Sequence, residues 1–317
     1  MRAAGNRKQA TPPLPLFLGS GILCHRGKTP RRARSSFLNT TTFSWWCIAR
    51  SLGWIYLALM LASWFLSDYL IFRPPHASYH AGGPYYRIPV TATESIGMLA
   101  ITGAAPRYVL LYAHGNGEDL GPDLRNYLSE FCAHGLDVYA FDYRGYGISD
   151  GRPGTARACE DAEAAYQHLV RDRKIPPEQI ILYGQLLGAA LALDLAARHK
   201  TAGLIVESGF ISAFRVKTVI PILPIDKFRN NCRMREVRCP VLVMHGMLDN
   251  VIPFWHGQEL YRLAPKPKLA FWPELAGHCD IRCRCEAEYW RRLQEFLRLV
   301  DLSRSSAQSS ASDKTSE

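Results

Sequence analysis

The chain has 317 residues, of which 48% are hydrophobic, and a formal net charge of +10. This length suits one domain of about 200 to 250 residues with flanking tails better than two equal domains. Residues 1–50 contain nine Lys or Arg and no Asp or Glu, which leaves 29 basic against 28 acidic residues in the remainder. Because that remainder is nearly neutral, the sequence predicts no nucleic-acid partner.

An uncharged, strongly apolar stretch, Ser51–Ser67, follows the basic N-terminal tail of residues 1–44. Its length is at the lower edge of what crosses a bilayer. Four tryptophans suited to the two membrane interfaces lie in or beside it, namely Trp45, Trp46, Trp54 and Trp64. We therefore predict a transmembrane or signal-anchor helix over residues 45–68. A buried core helix is the alternative, and a cleaved signal peptide fits less well because no A-x-A site is evident.

The distribution of basic residues also predicts an orientation. Positive charge is concentrated before the apolar stretch, so the positive-inside rule places the N-terminus in the cytoplasm and the following domain outside it. The seven cysteines after residue 100 are an odd number that cannot all pair with one another, and they leave the compartment undecided.

Residues 69–85 are rich in Pro and Gly and predict a linker. In residues 86–301 strand-like and helix-like runs alternate, which predicts an α/β domain with a mostly parallel sheet and helices on both faces. We expect strands at Val109–Ala113, Asp137–Phe141, Gln179–Tyr183, Gly203–Val206, Pro240–Met244 and Lys268–Trp272. We expect helices at Asp119–Ala133, Ala156–Arg171, Leu187–His199, His256–Leu263 and Glu286–Leu299. Residues 302–317 are small and polar, and we expect them to be disordered.

Five short motifs follow one another along this domain. They are LLYAHGNG (Leu110–Gly117), FDYRGYGISDG (Phe141–Gly151), YGQLLG (Tyr183–Gly188), HGMLDNVIP (His245–Pro253) and AGHCD (Ala276–Asp280). In this order they resemble the oxyanion loop, the turn after the fourth strand, the nucleophile elbow, the acid loop and the histidine loop of the α/β-hydrolase fold. Within this fold, the sequence is similar to the membrane-anchored branch that contains acyl-protein depalmitoylases and serine aminopeptidase-like hydrolases.

This resemblance implies a small cap on the sheet and no organic cofactor. Membrane lipid is an expected partner, and an acyl ester or an acylated protein or peptide is the family's type of substrate. Depalmitoylases of similar design work at the cytoplasmic leaflet, so the membrane side of the domain stays open.

The same resemblance assigns catalytic roles. His278 corresponds to the general base and Asp249 to the carboxylate that orients it, in the chain order nucleophile, acid, histidine. The backbone amides of Asn116 and Leu187 correspond to the oxyanion hole.

The position of the nucleophile departs from the pattern. A nucleophile elbow needs small neighbours two residues to either side, and Gly184 and Gly188 provide them. Between them, where the pattern has a serine, this chain has Leu186, whose isobutyl group can be neither deprotonated nor acylated. Loss of a triad nucleophile lowers kcat on the order of a million-fold. We therefore expect a hydrolase that is inactive or impaired, or alternatively a non-catalytic pseudoenzyme that binds lipid or protein.

Other groups offer weaker alternatives. Ser208 follows the next strand and could act as a nucleophile, although a turn or capping role is the simpler interpretation. Cys279 adjoins His278, but the elbow amides are elsewhere in the chain. The pair of Asp249 and His278 could activate water directly, although Leu186 would crowd the site.

Two further segments have open interpretations. His278–Cys285 contains one His and three Cys without C-x-x-C spacing, so we predict incidental thiols and no metal site. Thr218–Ile225 lies where this fold places cap elements, and it would either form an apolar lip that meets lipid or pack on the core.

Overall fold

The computed structural model describes the backbone of residues 40–218 and 226–313, and the side chains of residues 45–218 and 226–306. The chain divides into two compact units, Met1–Trp54 and Ile55–Glu317. The first unit is described from Thr40 onward, and that part is helical. Part of the expected cap segment Thr218–Ile225, residues 219–225, lies outside the described residues.

The N-terminal helix, α1, runs from Thr40 to Ile71 and so exceeds the predicted 45–68 at both ends. Its segment Trp45–Ile71 is long and apolar enough to cross a membrane, and only 6% of its most apolar window is buried. This low burial distinguishes α1 from a core helix, although length and composition alone are also satisfied by signal sequences. In the second unit, one face of the last turns of α1 is buried. The residues on this face, Met60, Ser63, Ser67 and Ile71, are partly or fully buried.

Eight strands form one sheet with the order β1-β2-β4-β3-β5-β6-β7-β8. The strands are β1 Tyr85–Pro89, β2 Ser95–Ile101, β3 Tyr108–Ala113, β4 Leu136–Phe141, β5 Ile180–Gln185, β6 Gly203–Glu207, β7 Val241–Met244 and β8 Lys268–Phe271. The six strands expected from the sequence, β3 to β8, are confirmed and all run parallel. The sequence missed β1 and β2, which add to the edge of the sheet in antiparallel orientation.

Seven further helices lie among the described residues: α2 Pro122–Ser129, α3 Thr155–Gln167, α4 Leu187–Arg198, α5 Asn230–Arg233, α6 Trp255–Leu263, α7 Ile281–Arg284 and α8 Glu286–Asp313. The five expected helices are all present, but two of them change their hydrogen bonding near the end. The segment after α2 is a 3-10 turn, and the segment after α3 is a π turn.

The C-terminal helix differs most from the expectation. α8 continues to Asp313 and thus enters the segment 302–317 for which the composition predicts disorder. Serine hydroxyls in this part bond back to carbonyls one turn earlier: Ser303 to Leu299 at 2.8 Å, and Ser305 to Asp301 at 3.0 Å. Such back-bonding lets serine remain within a helix that a preceding apolar stretch has already started.

Alternating side chains of the central strands divide the core into two layers. Val109, Leu111 and Ala113 of β3 face a cluster with α3 and α4. Leu110 and Tyr112 face a second cluster that includes α8. The carboxyl ends of β3 to β8 therefore meet at one edge of the sheet, which is where open α/β sheets place their functional sites.

Candidate active site

The turn between β5 and α4 has the backbone of a nucleophile elbow. Leu186 is its central residue, with φ of 54° and ψ of −111°. A non-glycine residue in such a conformation costs about 1 to 3 kcal/mol, and it persists only where neighbouring structure fixes it. Two backbone hydrogen bonds fix this conformation. The Leu186 amide donates to the Glu207 carbonyl at 3.0 Å, and the Gly188 amide donates to the His114 carbonyl at 3.1 Å.

Both elbow glycines are required by close backbone contacts. A Cβ on Gly184 would lie 2.2 Å from the carbonyl oxygen of Gly188. A Cβ on Gly188 would lie 1.9 Å from the carbonyl oxygen of Ala113. Neither position has room for a methyl group, so the small residues serve the tight strand-to-helix turn that the sequence indicates.

The side chain of Leu186 is directed toward the loop after β3. It is half-buried, and its Cδ1 atom would lie 3.0 Å from a Cβ placed on Gly115. The isobutyl group therefore lies against the expected oxyanion loop. A substrate carbonyl held by that loop would meet a hydrocarbon where a hydroxyl should be.

Asp249 and His278 are brought together from the loops after β7 and β8. The Nδ1 atom of His278 lies 3.0 Å and 2.9 Å from the two carboxylate oxygens of Asp249. Asp249 is buried, whereas the His278 side chain keeps 21% of its surface exposed. The imidazole of His278 is thus held by a carboxylate on one side and partly exposed, an arrangement that a general base requires.

Further hydrogen bonds fix the carboxylate of Asp249. Its Oδ1 atom accepts from the amides of Val251 at 2.9 Å and Ile252 at 2.8 Å. Burial alone would raise the pKa of Asp249, but the hydrogen bonds from His278 and from these two amides outweigh burial and hold the pKa below its usual value. The carboxylate is therefore ionised at neutral pH.

The loop after β3 and the first residue of α4 each present one backbone amide with free donor capacity. Neither the amide of Asn116 nor that of Leu187 donates a hydrogen bond to any residue that the structure describes. The neighbouring amide of Gly115 is already used, because it donates to Glu118 at 2.9 Å. The two amides that the sequence assigns to the oxyanion hole are thus available for an anion.

A buried polar network supports β5 just before the elbow. Tyr112 donates to Gln185 at 2.7 Å, and Gln185 donates to Glu207 at 3.0 Å. Tyr183 also donates to Glu207 and lies 2.7 Å from the Tyr289 hydroxyl. Burial raises the pKa of Glu207. This network was not found from the sequence, since its members are spread over more than 170 residues.

Ser208, the alternative nucleophile, and the cysteines of the segment His278–Cys285 differ in their burial and contacts. Ser208 is fully buried, and its hydroxyl has no hydrogen-bond partner among the described residues. Cys279 and Cys283 are exposed, and Cys285 is half-buried. In the described part of the chain, no three His, Cys, Asp or Glu side chains are grouped to hold a metal ion.

Comparisons with known proteins point to the same fold. Residues 104–225 match the family model described as serine aminopeptidase, S33. Alpha/beta hydrolase domain-containing protein 17C of Mus musculus is 38% identical over 197 residues, which are 60% of this chain and 60% of the relative. Protein 17B of Homo sapiens is 36% identical and is covered to 66%. An esterase of Pyrococcus furiosus superposes with a TM-score of 0.58 at 18% identity, over 72% of this chain and 97% of the esterase.

The chain contains an α/β-hydrolase domain. Over residues 104–225 it resembles the serine aminopeptidase family, and it is similar to the alpha/beta hydrolase domain-containing proteins 17. The matched part spans about 60% of the length of these relatives. The esterase shares the fold alone, since its sequence identity is low.

Several residues that hold the hydrolase site were quoted in motifs but given no role from the sequence. Asp142 lies 3.0 Å from the buried His114 of the oxyanion loop, and Tyr143 stacks on the same imidazole at 4.3 Å. The Tyr146 hydroxyl donates to the Asn116 carbonyl at 2.9 Å. The signal was the FDYRGYG motif itself, which places an aspartate and two tyrosines directly after strand β4.

Proposed function

We propose that this chain is a membrane-anchored α/β-hydrolase of the serine ester, thioester or amide type in which Leu186 prevents covalent acyl transfer. The observation that carries the proposal is the strained backbone of Leu186, φ 54° and ψ −111°, between two glycines that cannot bear a Cβ. The elbow retains its shape without its hydroxyl. The helix α1, long and apolar enough to cross a bilayer, supports the membrane anchor.

The remaining groups are arranged for the acyl-transfer chemistry of a serine-bearing relative. A serine at position 186 would lose its proton to His278 as its oxygen attacks the acyl carbon. Asp249 would keep the proton on Nδ1 of His278 and stabilise the imidazolium. The amides of Asn116 and Leu187 would bind the resulting oxyanion, and His278 would then protonate the leaving group.

The surroundings of the histidine support an acyl chain or lipid as the substrate class. Four large apolar side chains are exposed on the two loops that carry Asp249 and His278: Met247, Leu248, Val251 and Leu275. The two loops are joined where the Leu248 amide donates to the Ala276 carbonyl at 2.9 Å. Exposed apolar groups at a site of this kind mark contact with a lipid, an acyl chain or another protein.

Restoring the hydroxyl tests the proposal directly. The full chain with Leu186→Ser should hydrolyse short acyl esters and react with a fluorophosphonate probe, whereas the unchanged chain should do neither. The expected gain is on the order of a thousand-fold or more in kcat, because loss of a triad nucleophile lowers kcat by up to about a million-fold.

Two controls separate the possible sources of activity. Leu186→Ser combined with His278→Ala should lose the gain, since the serine then lacks its base. Leu186→Ala removes the side chain without adding a nucleophile, so activity of this variant would point to water activated by Asp249 and His278. A folded Leu186→Ser protein with no esterase activity and no probe labelling would refute the hydrolase site.

A second candidate function is binding without catalysis. The half-buried isobutyl group of Leu186 beside Gly115 favours it, because this group makes the site more apolar than a serine would. A fluorescent fatty acid should then bind the unchanged chain, and Leu275→Asp should weaken the binding. Equal binding by both proteins would exclude this surface as an acyl site.

A further inference from the structure

The end of helix α1 contacts the oxyanion loop directly. The side-chain amide of Asn116 donates to the carbonyl oxygen of Ile71 at 2.8 Å. Ile71 is the last residue of the helix, and its carbonyl has no partner in a further helical turn. A residue of the oxyanion loop thus caps the helix that we propose as the membrane anchor.

A second link joins the same two segments through Tyr146. Its hydroxyl accepts from the Arg73 amide at 2.9 Å and donates to the Asn116 carbonyl at 2.9 Å. Tyr146 is fully buried. Asn116 is therefore tied to Ile71 directly through its side chain and to Arg73 through the Tyr146 hydroxyl at its backbone carbonyl. Its amide donates to no residue that the structure describes.

A third link is aromatic. Phe72 is buried and packs edge-on against Tyr143, with ring centroids 6.4 Å apart. Tyr143 stacks on His114 and donates to its carbonyl oxygen. Aromatic pairs of this kind have a defined geometry, so a shift of Phe72 is transmitted to the start of the loop.

The last turns of the helix are themselves fixed to the domain through Asp68. Its carboxylate accepts from the hydroxyl of Thr155 at 2.5 Å and lies 2.7 Å from the ammonium group of Lys227. Lys227 is buried, whereas Asp68 keeps 39% of its side-chain surface exposed, so solvent screens this ion pair in part. The helix end therefore behaves as a part of the domain and not as a loose tether.

We propose that residues 71–73 at the end of α1 position the oxyanion loop through Asn116 and Tyr146, and so couple the anchor helix to the geometry of the active site. Tyr146 and the side chain of Asn116 are positioning residues, because neither is placed to touch the substrate. The role rests on the proposed function, in which the Asn116 amide binds the oxyanion. Disturbing the links should loosen this amide and leave the base pair of Asp249 and His278 in place.

Hydrogen exchange on the full chain with Leu186 unchanged tests the coupling without any need for activity. Tyr146→Phe removes only the bridging hydroxyl. The hydrogen-bonded amides of Gly115, which donates to Glu118, and of Gly188, which donates to the His114 carbonyl, should exchange about fivefold to tenfold faster, and those of residues 249–252 should not change. Tyr166→Phe is the matched control, because its hydroxyl also donates to a carbonyl, that of Lys200 at 3.2 Å, away from the site. Unchanged exchange at the Gly115 and Gly188 amides in Tyr146→Phe would overturn the proposal.

The Leu186→Ser background adds a catalytic measurement. There Tyr146→Phe should lower kcat for a short acyl ester about tenfold with KM unchanged, since loss of a whole oxyanion donor costs about a hundredfold to a thousandfold. Asn116→Asp should act in the same direction, because it replaces the donor to Ile71 by an acceptor. Equal kcat values in Tyr146→Phe and Tyr166→Phe would refute the positioning role. An inactive Leu186→Ser parent would instead refute the proposed function, and the exchange result would still decide the coupling.

Discussion

Gly188→Ala should destabilise the domain although it replaces a helical glycine by the best helix former. Its Cβ would lie 1.9 Å from the Ala113 carbonyl oxygen and 2.8 Å from that of His114. Relieving these contacts needs a backbone shift of about 1 Å, which a close-packed interior resists at about 3 kcal/mol or more. The gain in helix propensity is about 1 kcal/mol. The net loss is therefore about 2 kcal/mol, or a fall in Tm of about 4 to 8 °C for a domain of this size.

Thermal unfolding of the full chain, followed by circular dichroism, measures this loss. Gly117→Ala is the matched control, because a Cβ at Gly117 has no atom within 4 Å. Its free energy of unfolding should change by no more than about 0.5 kcal/mol. If the two variants melt within about 1 °C of each other, the close approach of the elbow to β3 is wrong.

Two further predictions concern charged groups. Hydrogen bonds hold the pKa of Asp249 below the usual 3.8, so this group stabilises the folded chain above about pH 4 and loses the effect as pH falls through the lowered folded-state pKa. In urea denaturation at several pH values, Asp249→Asn should lose less unfolding free energy on acidification than the unchanged chain. An equal loss in the two proteins would contradict the assignment. Arg144 is 3% exposed and is paired with Glu94, Glu160 and Asp161. Arg144→Ala should therefore lower the free energy of unfolding by about 3 to 5 kcal/mol, whereas Arg291→Ala, at an exposed ion pair, should leave Tm unchanged. A similar loss of stability in the two variants would refute this distinction.

The sequence predicts the central sheet well because its signals are local. Strands β3 to β7 are short, mainly apolar runs that are almost completely buried in a parallel sheet, and each ends in a turn of small or polar residues. The edge strand β8 is only partly buried. The antiparallel strands β1 and β2 were missed. β1, Tyr85–Pro89, is an edge strand that contains a proline and alternates in burial, so the run lacks the apolar continuity of the others.

The backbone turn at the elbow was predictable for the same reason. Gly184, Leu186 and Gly188 form a pattern within five residues, and the structure gives this pattern the backbone of an elbow. The roles of Asp249 and His278 stay predictions, although the structure places them in hydrogen-bond contact. The contact between Asn116 and Ile71 could not be predicted, because it joins residues 45 positions apart through a side chain and a helix end.

The strain at position 186 shows what determines the shape of this site. A leucine gains nothing in catalysis from a backbone with φ of 54°, yet the conformation costs it about 1 to 3 kcal/mol. The conformation is kept by bonds that do not involve the side chain: the Leu186 amide to Glu207, and the Gly188 amide to His114. Since Glu207 belongs to the buried tyrosine network and His114 to the loop tied to helix α1, the elbow is shaped by its surroundings and not by its central residue. For this reason we expect a serine placed there to enter a ready-made site without any compensating substitution.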